Sequence, residues 1–285
     1  MRKSLLLSLS ILAVSSSALA QDRTGWPTTL TFGIIPTEGS AATLARWQPF
    51  FDYLGKTLNL EVKPQVGADY TAVILAMQNK QLDVAYFGPK SYVTAVEQAG
   101  AEALVKDNTV KGGLGYHSII ISKASSGIKT LEQAKGKNFA FVDPQSTSGY
   151  LIPLTHFTYS MKVKPDAYFS KVIFAGSHEN AILAVLNGTV DVAATNDADM
   201  ANAISKGAVK QGDFNVLYTS TTIPNGPTAA RKDLPASLKA AIRKAMLSYR
   251  DPQGLANLNL KGWAVATDRD YDPIRKANAV QAIAK

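Results

Sequence analysis

Three hydroxyl side chains in a row, Ser146-Thr147-Ser148, followed by Gly149, stand between a short apolar run, Asn138 to Val142, and a helix-length apolar segment from Leu151 to Met161. Hydroxyls and glycine in that position are the chemistry of a helix N-terminus, where Ser and Thr cap orphan N–H groups and the helix dipole is positive. A tetrahedral oxyanion placed there meets several N–H donors and up to three O–H donors. The same residues also suit a multiply capped helix start with no ligand. Pro153 removes one intrahelical hydrogen bond, so an irregular first turn is expected.

Further candidates fall at the ends of other expected strands. In Gly176-Ser177-His178-Glu179-Asn180, His178 can donate to an oxyanion, while Ser177 can cap a helix whose first turn favours Glu179. Tyr86-Phe87-Gly88 ends a strand in the first half of the chain, so Tyr86 and Phe87 can wall a pocket or fill the core. Thr195-Asn196-Asp197 offers an amide, Asn196, and a carboxylate, Asp197, as ligand contacts or as an Asx turn. No G-x-x-x-x-G-K-[ST], G-x-S-x-G or H-E-x-x-H is present, and His117, His156 and His178 lack metal-ligand spacing. The chain has no cysteine, which excludes disulfides, thiolate nucleophiles and Cys-ligated metals. No metal, cofactor or catalytic residue is therefore expected. The enzymatic alternative is a hydrolase built from Ser146 or Ser148 with His178.

The elements that must position these residues alternate. Thr29 to Ile35 reads as a first strand, Ala41 to Leu58 as a helix with Leu44, Trp47, Phe50, Phe51, Leu54 and Leu58 at helical spacing, and Glu61 to Val66 as a strand. Pro64 suggests that this last strand is an edge. A helix over 69–79, a strand over 82–87 and a helix over 91–98 complete an open α/β order, which places ligands at the carboxyl ends of the strands. A second set follows: strands over 116–122, 138–142, 171–175, 190–194 and 214–220, with helices over 131–134, from Gly149, over 180–186, 198–205 and 234–249. Leu82-Asp83-Val84-Ala85 echoes Val190-Asp191-Val192-Ala193, each after a helix end and a polar turn. One architecture used twice, with a cleft between two lobes, is the reading.

The chain of 285 residues is 46% hydrophobic and 18% charged, ordinary soluble composition with length enough for two lobes. Arg2 and Lys3, an apolar stretch from Leu5 to Val14 and Ala18-Leu19-Ala20 read as a leader over 1–20 cleaved after Ala20. The protein is thus expected to be exported to the periplasm. The net charge of +8 is spread along the chain and does not interleave with aromatics, so nucleic acid is not an expected partner.

Taken together, Tyr86-Phe87-Gly88-Pro89-Lys90-Ser91, Asp143-Pro144-x-Ser146-Thr147-Ser148-Gly149-Tyr150, Gly176-x-His178-Glu179 and Ile223-Pro224-x-Gly226-Pro227 resemble the periplasmic phosphonate/phosphite-binding proteins of ABC importers. The similarity runs from about Thr29 to about Leu234. It implies a type II periplasmic-binding-protein fold, two α/β lobes (21–118 with 220–285, and 119–219) joined by a two-strand hinge. It also implies that P–O oxygens are held by Ser146, Thr147, Ser148, His178 and the aromatic position at Tyr86-Phe87, and that a monomer delivers its ligand to membrane permease subunits.

Two departures bear on the ligand. Family members that take aminoalkylphosphonates resemble this chain but carry carboxylates near the ammonium, where this sequence has Ala198 (between Asp197 and Asp199) and Gly226. A buried ammonium without an anion costs several kcal/mol, so an amine-bearing ligand is disfavoured. Phe87 stands where the family often has Tyr, one O–H donor fewer. The expected ligand is a compact phosphorus oxyanion, phosphite or hypophosphite first and methylphosphonate second, bound without chemistry. A sensor that signals to a membrane receptor is a further alternative.

Overall fold

The computed structural model describes residues 22–283; the expected leader lies outside them. The chain runs β1 (Thr29–Ile34), α1 (Ser40–Leu58), β2 (Glu61–Val66), α2 (Tyr70–Gln78), β3 (Val84–Tyr86), α3 (Pro89–Ala99), β4 (Ala101–Thr109), β5 (Gly115–Tyr116) and β6 (Ser118–Lys123). It continues with β7 (Asn138–Phe141), a π-helical turn (Thr147–Leu151), α4 (Ile152–Thr155), a second π turn (His156–Ser160), α5 (Pro165–Tyr168), β8 (Lys171–Phe174), α6 (His178–Leu186), β9 (Val192–Asn196) and α7 (Asp197–Ser205). The last elements are β10 (Phe214–Thr219), β11 (Ile223–Pro224), β12 (Pro227–Arg231), α8 (Ala236–Ser248), α9 (Pro252–Leu258), β13 (Leu260–Val265) and α10 (Asp272–Ile283). Among the described residues no helix is long and apolar enough to cross a membrane.

Two mixed sheets form, in the orders β13-β4-β12-β3-β1-β2 and β10-β6-β9-β7-β8. The chain crosses between them twice, and the crossings pair antiparallel as β5 and β11, with Ile223 opposite Tyr116 and Pro224 opposite Gly115. β2, the strand that contains Pro64, is an edge strand, where a missing N–H costs no ladder bond. The two echoing aspartates do one job in each sheet. Asp83 accepts the N–H of Thr31 at 2.9 Å and Asp191 that of Asn138 at 2.9 Å, each tying the start of one strand to the parallel neighbour beside it.

The amphipathic spacing of α1 buries Trp47, Phe50, Phe51 and Leu54 against Leu30, Phe32 and Ile34 of β1 in one core. Phe139, Phe141, Phe157 and Phe169 form a second core under the five-stranded sheet. A third cluster contains Val73, Ile74 and Met77 of α2 together with Ala181, Ile182 and Val185 of α6, so apolar packing continues between the halves. α10 packs on α3 from one half and on α4 from the other.

Beyond the short α5 and β11 and the late helices α9 and α10, which carry no expectation, the structure departs from the sequence reading at three strands and one helix. β4, β12 and β13 were not anticipated: β4 carries Glu102, Lys106, Asp107 and Asn108, which blur its alternation, and all three pair antiparallel within the first sheet. The helix after Ser-Thr-Ser is wide rather than α-helical at its start. Leu151 N–H donates to Ser146 O at 3.1 Å, five residues back, and Met161 repeats this to His156 at 3.0 Å. Pro153, without an N–H, lies between those two wide turns.

Candidate functional site

Five helical segments begin at the cleft between the sheets. Tyr70, Pro89, Thr147, His178 and Asp197 are their first residues, and all five line one cavity of about 330 Å³. Their N-caps are Asp69, Gly88, Ser146, Ser177 and Asn196; all but Gly88 accept an N–H through the side chain. Helix starts after strands collect at the carboxyl edge of an α/β sheet, and their dipoles sum to a region that favours negative charge.

The Ser-Thr-Ser group forms the floor on the five-stranded side. Ser146 Oγ accepts the Gly149 N–H at 3.0 Å and stands 3.5 Å from His178 Nε2. Thr147 Oγ1 accepts the Lys90 N–H at 2.8 Å across the cleft, which leaves its O–H to donate elsewhere. Ser148 is held by its carbonyl, which accepts from Ser118 Oγ at 2.6 Å, and its hydroxyl accepts from Asn196 Nδ2 at 3.3 Å. His178 is 3% exposed and contacts Thr195 Oγ1 through Nδ1 at 3.0 Å. Burial holds its pKa below the usual histidine value, against the opposing pull of Asp199, so the ring is neutral at pH 7.

Of the other expected residues, Asn196 caps α7 by accepting the Asp199 N–H at 2.7 Å and sends its amide toward Asp199, Ser148 and His178. Asp197 lines the cavity but is engaged by His117, accepting its N–H at 2.9 Å and facing Nδ1 at 3.0 Å. Tyr86 forms part of the opposite wall, with its hydroxyl on Asp107. Phe87 requires a correction: it is fully buried among core residues that include Ile35 and Tyr92, and the cavity wall does not contain it. Successive residues of a strand face opposite ways, so Tyr86 and Phe87 cannot share one wall.

Several lining residues escaped the sequence reading. The buried Tyr70 hydroxyl interacts with Ser146, and the Tyr116 hydroxyl with Ser148 and Thr147. Burial raises both above the usual tyrosine value, so both stay protonated donors. Tyr70 follows a side-chain cap at a strand's carboxyl end, a signal shared by three of the other four helix starts, but a tyrosine beside Val73, Ile74 and Met77 reads equally as part of an apolar helix face. Arg46, Trp47, Asp107 and Asn225 also line the cavity and carried no local motif. Asp107 accepts from Trp263 Nε1 at 2.9 Å, and burial pushes its carboxyl up to about 6. Gly226 lies on the wall with no room for a side chain, because a Cβ there would stand 2.1 Å from the Phe87 carbonyl oxygen.

The halves touch around this cavity. Glu179 N–H donates to Thr37 O at 3.1 Å, and its carboxylate accepts the Gly39 N–H at 3.0 Å. Glu38, 5% exposed, pairs with Arg46 at 3.0 Å in its own half, and with Lys206 and the Asn202 amide (3.2 Å) in the other. The arrangement is a closed one.

Residues 32–271 match the family described as ABC transporter, phosphonate, periplasmic substrate-binding protein. The chain belongs to this family. It is 31% identical over 279 residues to the phosphonates-binding periplasmic protein of Escherichia coli, covering 95% of this chain and 80% of that one. It is 30% identical over 289 residues to the phosphate-import protein PhnD of Mycolicibacterium smegmatis, covering 92% and 89%. Among solved structures, a binding-protein component of an ABC phosphonate transporter from Pseudomonas aeruginosa superposes with a TM-score of 0.84 at 30% identity, over 90% of this chain and 87% of that one. The fold is thus the type II periplasmic-binding-protein fold. Hydroxyl-rich helix starts are chemically suited to a tetrahedral anion, since they offer it neutral donors.

Proposed function

We propose that this protein is the exported solute receptor of an ABC importer, a monomer that binds a phosphonate head group in its cleft and presents the closed form to the membrane permease. Export and cleavage after Ala20 belong to the same proposal, as do the two lobes 21–118 with 220–285, and 119–219. The observation that carries the head-group assignment is the convergence of the Ser146, Thr147 and Ser148 hydroxyls with those of Tyr70 and Tyr116 in the cavity where five helical segments begin. First-turn N–H groups, which a helix cannot satisfy internally, complete the donor set. Closure of the β5–β11 hinge then excludes water and strengthens each contact.

Among the expected ligands we rank phosphonates ahead of phosphite and hypophosphite. Phe87 faces the core, so its missing hydroxyl does not bear on how many oxygens the ligand has. The cavity of about 330 Å³ also exceeds a bare oxyanion of four heavy atoms, which fills on the order of two or three water volumes at ~30 Å³ each. A hydrolase gains no support from the geometry: Ser146 accepts an N–H as a cap, and His178 Nδ1 is held by a threonine rather than a carboxylate.

Isothermal titration of the mature protein with methylphosphonate, ethylphosphonate, phosphite, hypophosphite, phosphate and sulfate tests this reading. Saturable 1:1 binding with both phosphonates ahead of phosphite and sulfate is expected. Binding of sulfate or phosphite ahead of every phosphonate would overturn the ligand class.

A further inference from the structure

The cavity wall on the six-stranded side has chemistry that a phosphonate head does not use. Arg46 of α1 lies on that wall with its side chain only 15% exposed. Its Nε faces Glu38 at 3.0 Å, and its terminal nitrogens, Nη1 and Nη2, form no hydrogen bond with any described residue. Glu38 is shared: Lys206 and the Asn202 amide reach the same carboxylate from the other half. Glu38 is thus divided between two cations, and it meets Arg46 only at Nε.

The acids nearby have partners of their own. Asp197 is engaged by His117, and Asp199 accepts the Asn196 amide at 2.7 Å. Asp107 is the acid on which Arg46 acts, and it already accepts from Trp263 and Tyr86. Trp47 and Tyr86 supply flat apolar surface on the same wall.

We propose that Arg46 is the centre of a second anion subsite, and that the ligand is a phosphonate carrying a carboxylate on its substituent, with the phosphonate at Ser146-Thr147-Ser148 and the carboxylate on the two free guanidinium nitrogens. This deepens the phosphonate reading and rests on it. A guanidinium fork matches a planar carboxylate bidentately, which an isolated lysine would not. An ammonium at the same place meets Arg46 as a like charge.

The test is calorimetry of the mature chain against methylphosphonate, ethylphosphonate, phosphonoformate, phosphonoacetate, 3-phosphonopropionate and aminoethylphosphonate. At least one phosphonocarboxylate should bind roughly tenfold or more tighter than ethylphosphonate, with aminoethylphosphonate weakest. In Arg46→Gln the ratio between carboxylate and alkyl ligands should fall toward one, and in Arg46→Lys it should be intermediate. The wild-type ranking stands even if a variant fails to fold. Methyl- and ethylphosphonate binding as well as every phosphonocarboxylate would overturn this inference alone. Failure of all six ligands to bind would overturn the head-group reading, and this inference with it.

Discussion

The two walls of the cleft are built on opposite plans. On the five-stranded side the donors are contiguous in sequence, Ser146-Thr147-Ser148, and fixed by the helix start they cap: the Ser146 hydroxyl takes the Gly149 N–H and the Ser148 carbonyl takes Ser118. On the six-stranded side the polar groups come from three separate elements, Arg46, Tyr86 and Asp107, with Trp263 donating to Asp107 from behind the wall. There a guanidinium has free nitrogens and a carboxyl is buried. On the function proposed above, the first wall recognises whatever shares a tetrahedral oxyanion head, and the second tells members of that class apart.

The comparison can be broken first at its seam. Gly226→Asp, which would bring a carboxylate to the six-stranded wall, should destabilise the apo protein by about 3 kcal/mol or more, because the new Cβ overlaps the Phe87 carbonyl. Ala198→Glu, on the other wall, should fold normally. A chemical denaturation series on both checks this, and equal stability would mean that the seam is not close-packed.

Next in size, Thr147→Ala and Ser148→Ala should each weaken methylphosphonate binding by roughly 1.5–3 kcal/mol, since each removes a donor to a charged oxygen. The melting temperature without ligand should move less. Thr147→Ala also removes the acceptor for Lys90 N–H across the cleft, so its loss should be the larger of the two. Calorimetry beside thermal melts separates the effects.

Asp107→Asn sharpens the contrast through pH. The folded carboxyl titrates near 6, above the about 3.9 of an unfolded chain, so the native state binds this proton more tightly. Its cost to stability is absent below about pH 4, grows as pH rises, and is complete above pH 6, on the order of 1–3 kcal/mol. The Asn variant should therefore melt higher than wild type at pH 8, with the gap closing toward pH 4.5. A gap independent of pH would contradict the buried-acid account.

The smallest effect separates two tyrosines. Tyr116→Phe should weaken all phosphonates by about 0.5–1.5 kcal/mol, since its hydroxyl sits with those of Ser148 and Thr147. Tyr86→Phe should leave their common affinity nearly unchanged but alter the ranking among substituents, because its hydroxyl serves Asp107.

Legibility followed the same division. The Ser-Thr-Ser floor, His178 and the Asn196-Asp197 turn could be read because strand, capped loop and helix follow one another in the chain, and alternation brings every such loop to one sheet edge. Tyr86 and Phe87 could not be told apart. β3 is three residues long and its flanks are apolar on both faces, so sequence has no parity signal there. β4, β12 and β13 were missed because they return antiparallel from distant parts of the chain and carry charged or proline residues. With them went Asp107 and Trp263. Arg46 is one charged residue on an amphipathic helix, and nothing local distinguishes it from a solvated one.

A crystal structure of the mature protein with methylphosphonate tests the central claim most directly. The account predicts the phosphonate oxygens within about 2.6–3.0 Å of the Ser146, Thr147 and Ser148 hydroxyls or N–H groups, with the methyl group toward the Arg46 wall. A phosphonate bound with its oxygens on Arg46 and its methyl group against the Ser-Thr-Ser floor would contradict it.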